Sequence, residues 1–110
     1  MELHKLYSRM LKLEEHATFG ADCTLTDSEF GPFCQDLSRI SQTESGIELV
    51  FGENKEVTLS QAIATLEPLV ESIPDAIVYQ CHEGIKYPLK RVYEDVPVFI
   101  MECDIRYEEE

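Results

Sequence analysis

One place in the chain brings a nucleophile, a base and an acid together: Cys81, His82 and Glu83. The chemistry such a cluster would do is attack by a thiol activated by a neighbouring imidazole. Its surroundings argue against that use. Ile77, Tyr79 and Cys81 alternate with Val78 and Gln80 as a strand, and neighbours along a strand point to opposite faces. Cys81 and His82 therefore cannot hydrogen-bond while both stay extended. A turn starting at His82 weakens that objection without removing it. The reading that follows is a buried cysteine beside an exposed turn histidine, and no catalytic residue is assigned.

Metal and cofactor chemistry has equally little support. His4 and His16 lie on one predicted helix but about 120° out of phase at 100° per residue, too far apart to share an ion. The cysteines, Cys23, Cys34, Cys81 and Cys103, contain no C-x-x-C spacing, so neither a zinc knuckle nor a thioredoxin-like motif is present. Residues 22–29 superficially resemble a calcium loop but lack the glycine at its sixth position and carry threonines where acids are usual. The phosphate-binding glycine loops and the G-x-S-x-G elbow are missing from the sequence. No carboxylate falls on an obviously apolar stripe, where a raised pKa would suggest acid–base work. The expectation is no metal, no cofactor and no enzyme.

Acidity is the strongest global signal. Twenty-two acids stand against nine bases, for a net charge of −13. The distribution is uneven: residues 17–85 hold twelve acids against Arg39 and Lys55, and residues 92–110 hold seven against Arg106. Between them, Lys86, Lys90 and Arg91 form a short basic run, which reads as gatekeeping of an edge strand or pairing with nearby acids. Such a field repels nucleic acid and anionic membrane and steers a basic partner toward the protein. Acidity that merely confers solubility is the bland alternative. The most concentrated acids, Glu102, Asp104, Glu108, Glu109 and Glu110, follow Glu94 and Asp95 near the C-terminus. On an extended strand Glu102 and Asp104 would lie about 7 Å apart on one side, comparable with phosphate spacing along a nucleic-acid strand. These seven are the predicted partner-binding residues. A solvated tail is the plain account of the last three.

The elements that must position these groups follow from periodicity. Leu3, Leu6, Tyr7, Met10 and Leu13 recur at helical spacing and predict an amphipathic helix over 2–16. Phe30, Phe33, Cys34, Leu37 and Ile40 predict a second helix, starting at Ser28 or Pro32 and ending near 42. Ile47, Leu49 and Phe51 alternate as a strand, and residues 56–58 offer a short return. Thr58 and Gln61 form a capping box for a third helix over 59–73, with Pro68 opposite the apolar stripe, on the solvent side. Strands over 77–81 and 85–89 flank a turn at 82–84, and Pro88 marks the second as an edge or a bulge. The longest strand candidate, 96–107, puts Phe99, Met101, Cys103, Ile105 and Tyr107 on one face; the other turns from apolar to charged at Glu102, as if leaving the core for a solvated rim.

The predicted fold is therefore a single α+β domain over 1–110: an antiparallel sheet of about four or five strands, ending in a C-terminal meander, with about three helices packed mainly on one face. No apolar run approaches the roughly 20 residues a membrane span needs, and residues 1–16 lack the features of a secretory signal. Reduced thiols and a cytoplasmic location are expected. The functional expectation is a non-enzymatic acidic binder, monomeric or homodimeric, of the kind exemplified by immunity proteins, antitoxins and phage-encoded inhibitors. It would mask a basic surface of a nuclease or other nucleic-acid-binding protein, without touching nucleic acid or membrane itself. The alternative is a small-ligand enzyme or sensor with a pocket between helices and sheet.

Overall fold

The computed structural model describes residues 1–16, 18, 22–27, 35–44, 46–53, 55–82, 84–95 and 98–103. Among these residues, two helices, α1 (Leu3–His16) and α2 (Leu59–Ser72), accompany six strands: β1 (Leu25–Asp27), β2 (Leu37–Thr43), β3 (Gly46–Phe51), β4 (Val78–His82), β5 (Ile85–Asp95) and β6 (Val98–Cys103). The strands form one sheet in the order β1-β6-β5-β4-β3-β2. It is mixed: β1/β6 and β3/β4 pair parallel, whereas β2/β3, β4/β5 and β5/β6 pair antiparallel.

The sheet curls into a half-barrel, so that its two ends approach each other. Thr26 of β1 bridges Asp36 just ahead of β2, and the Asp27 amide donates to the Gln35 carbonyl at 3.1 Å. Val57 stitches the same seam from both sides: its carbonyl accepts from Leu25, and its amide donates to Leu37. Backbone groups at both edges thereby find partners instead of lying open to another chain.

This architecture corrects the predicted one in strand number, pairing and helix count, though the class remains α+β. The expected second helix ends in a strand: residues 37–43 are β2, while Phe30, Phe33 and Cys34 lie outside the described residues. The reason is a bulge. Pairing of β2 with β3 shifts register between Leu37 and Arg39, and one inserted residue lets Leu37 and Ile40 share the core at a spacing of three. That spacing imitates a helical stripe. Gly46, at φ +139°, then returns the chain into β3; a Cβ there would stand 2.3 Å from the Ile77 carbonyl oxygen, so only glycine fits.

Pro88 predicts an edge strand or a bulge for β5: the strand is internal, between β4 and β6, and it carries a bulge. Pro88 pairs with Tyr79 and precedes the Leu89↔Cys103 pair; a second bulge between Leu89 and Arg91 puts Leu89 and Val92 in the same core. No return strand forms at 56–58. Thr58 instead makes an isolated bridge to Thr24 and caps α2.

Apolar periodicity accounts for the helices. Leu3, Leu6 and Met10 of α1 and Leu59, Ala62, Ile63 and Leu66 of α2 are buried in one cluster with the inward residues of the sheet. The Thr58 hydroxyl accepts from the Gln61 amide while the Gln61 side chain accepts from the Thr58 amide, closing the capping box. Pro68 is exposed, as its phase requires. α2 also explains the parallel β3/β4 pair, because parallel neighbours need a crossover of about a dozen residues or more. No helix among the described residues is long and apolar enough to cross a membrane.

Candidate functional site

The predicted acidic face is only partly within the described residues, and two of its members there, Glu102 and Glu94, are already paired. β6 is paired along both edges, by β1 and β5, and the consecutive residues Phe99, Ile100, Met101 and Glu102 are all buried, so both faces of that stretch are covered. Glu102, at 8% exposure, is not at a solvated rim. Across the β5–β6 ladder, Arg91 is its register partner, and Nε and Nη2 of Arg91 both reach Glu102 Oε2 at 2.7 Å. Lys90 Nζ holds the other oxygen at 3.2 Å. The Arg91 hydrogen bond holds the Glu102 carboxyl below the usual range despite the opposing effect of burial, and Lys90 adds to it. The same guanidinium lies 4.7 Å from the centre of the Tyr93 ring. Lys86 faces Glu48 at 3.7 Å. The basic run thus meets internal acids and does not guard an edge.

Glu94 is also engaged. Its carboxylate accepts from the Thr18 amide at 2.8 Å and from the Thr18 hydroxyl at 3.1 Å. Asp95 closes the β5–β6 ladder opposite Val98. Asp104, Glu108, Glu109 and Glu110 lie outside the described residues.

A different group of acids is brought together by helix packing. α1 and α2 lie against each other with their apolar stripes turned to the sheet. At their outer junction sits Tyr7, half-buried. Its hydroxyl is pushed above the ordinary tyrosine range, first by burial and then by the carboxylates of Glu67, Glu14 and Glu71. Glu67 and Glu71 are one turn apart on α2, Glu14 is two turns along α1 from Tyr7, and all three are exposed. None of the three has a cationic partner among the described residues. Leu11, a turn beyond Tyr7 on α1, is 40% exposed. The result is a helical surface with an aromatic and an aliphatic side chain among uncompensated negative charges. The i, i+4 glutamate pair was visible in the sequence; its neighbourhood with Tyr7 depends on how the helices pack.

The remaining chemistry-bearing residues stay apart or play structural parts. Cys81 and His82 are consecutive residues of extended β4, and Glu83 is outside the described residues. Cys23 and Cys81 are free thiols. Asp27 corrects the expectation that no carboxylate occupies an apolar position: it is completely buried in β1, beside the seam of the half-barrel. A three-residue strand is too short for alternation to reveal such a site. Gln80 is fully buried as well, its amide donating to the Met101 carbonyl at 2.8 Å. Two open clefts lie among the described residues. One of about 660 Å³ is lined by Gln35, Asp36, Ser38, Gly52, Lys55 and Glu56. The other, of about 610 Å³, lies between the β2–β3 hairpin and the turn after α2. Neither is lined by Cys81.

Comparison with protein-family models, curated proteins and solved structures returns no match to this chain. The functional reading therefore rests on the site's own chemistry.

Proposed function

We propose that this chain is a non-enzymatic acidic binding protein, which masks a basic surface of a nuclease or another nucleic-acid-binding protein. Immunity proteins, antitoxins and phage-encoded inhibitors exemplify the class. It acts in the cytoplasm, where its thiols stay reduced. The observation that carries the reading is a net charge of −13 combined with an uncompensated acidic surface on α1 and α2. Opposite charge speeds capture, and a few desolvated side chains set how long the complex lasts.

In this reading Glu14, Glu67 and Glu71 supply the charge, while Tyr7 and Leu11 are the anchors. Glu102 contributes little, since its charge is balanced by Arg91 and Lys90. Asp95, Asp104, Glu108, Glu109 and Glu110 add to the field that steers a basic partner, and Glu94 does so while bound to Thr18.

The test is a comparison of wild type with Glu14→Gln/Glu67→Gln/Glu71→Gln in binding to the captured basic partner. Affinity should fall in the variant, and wild-type affinity should fall as salt rises. Unchanged affinity in the variant would assign binding to another face.

A further inference from the structure

At the opposite end of α1 from Glu14, three metal-ligating side chains converge from two separate segments. Glu2 and His4 come from the start of the chain, and Asp75 from the turn after α2. One carboxylate oxygen of each acid and one ring nitrogen of His4 all lie within 4.8 Å of one another. His4 Nε2 is 3.1 Å from Glu2 Oε2 and 3.7 Å from Asp75 Oδ1. Two donors on one zinc-like ion at about 2.1 Å in tetrahedral geometry stand about 3.4 Å apart. Those two separations bracket that value, and the third, between the two acids, is no more than 4.8 Å.

The backbone fixes this convergence. The Leu3 amide donates to the Ala76 carbonyl at 2.8 Å, the His4 amide donates to the Pro74 carbonyl at 2.9 Å, and Glu2 bridges Ile77. Lys5 Nζ binds Glu2 Oε1 at 3.0 Å, which leaves Oε2 turned toward His4. That contact orients the carboxylate as outer partners orient metal ligands.

We propose that Glu2, His4 and Asp75 form a binding site for a divalent transition-metal ion of the zinc type. One imidazole and two carboxylates suit such an ion, whereas calcium and magnesium take oxygen donors alone. Three protein donors leave a position for water, and Asp75 also lines the 610 Å³ cleft, which gives that position an opening to solvent. The plain alternative is a set of surface ion pairs with no affinity for metal beyond that of any acidic surface.

Calorimetric titration of the full chain with Zn²⁺ at neutral pH distinguishes the two. Wild type should show one saturable site. His4→Ala should weaken it at least tenfold and Asp75→Asn by several-fold, while Glu15→Gln, at an exposed acid far along α1, should leave it within twofold. His4 and Asp75 side chains are 43% and 86% exposed, so both variants keep the fold. Titration with Co²⁺ should give d–d absorption without a thiolate charge-transfer band. Equal affinity in wild type and His4→Ala, absence of saturable binding, or a thiolate band reporting Cys23 or Cys81 would each overturn the site.

Discussion

Glu102 and the pair Glu67 and Glu71 are the same residue type put to opposite uses. Glu102 sits on an internal strand, buried, with a guanidinium and an ammonium on its two oxygens. Glu67 and Glu71 stand on the outer face of α2, exposed, and their nearest notable neighbour is a tyrosine whose ionisation they oppose. Formal charge counts all three alike. Pairing separates them: the first acid holds two strands together, and the other two project a field. A net charge is thus an upper bound on what a protein offers to a partner.

The largest effect expected from this contrast is on binding. Neutralising Glu14, Glu67 and Glu71 should weaken capture of a basic partner by ~10–100-fold at low salt, as three moderately exposed interfacial charges would. Glu102→Gln should change the same affinity by less than about twofold, measured by surface plasmon resonance.

Stability should show the reverse pattern. Glu102→Ala removes the carboxylate that Arg91 and Lys90 share, at a cost of about 1–2 kcal/mol, discounted because both basic side chains are more than half exposed. Calorimetry should record a melting temperature lower by about 5–10 °C. The helical triple variant should melt with wild type.

The pH profile sharpens the difference further. The folded-state pKa of Glu102 is depressed, so its contribution is fully present above the ordinary carboxylate pKa and is lost as pH falls through the lowered value. The melting-temperature gap between wild type and Glu102→Gln should therefore hold near neutrality and close in strong acid.

The smallest effect is spectroscopic. In the triple variant Tyr7 should ionise at lower pH than in wild type, followed by NMR of its ring. It should not return fully to the ordinary value, because burial is the first cause of its shift.

Local signals were legible and non-local ones were not. The stripes of α1 and α2, the Thr58–Gln61 capping box and the solvent-facing Pro68 could be read from spacing, because helix periodicity and capping act within a few residues. β2 could not, because its bulge turns a strand's spacing of two into three and the sequence cannot tell that from a helical turn. β1 is three residues long and owes its existence to β6 and Val57, partners distant in sequence. The parallel β3/β4 pair was within reach, since a strand, a 14-residue helix and a strand in succession favour that arrangement. At the candidate site, the basic run at 86–91 pointed correctly to acids nearby. That Glu102 was the acid consumed depended on the β5–β6 register, which a second bulge sets.

The central claim, that the uncompensated helical acids face the partner, is tested most directly by differential capture. Wild-type and Glu14→Gln/Glu67→Gln/Glu71→Gln proteins would be used as paired baits in lysate of the native host, washed at low and at high salt, with mass spectrometry of what is retained. The account predicts a basic nucleic-acid-binding protein held by wild type at low salt, diminished at high salt and missing from the variant. Equal retention by both baits, or no basic protein on either, would contradict it.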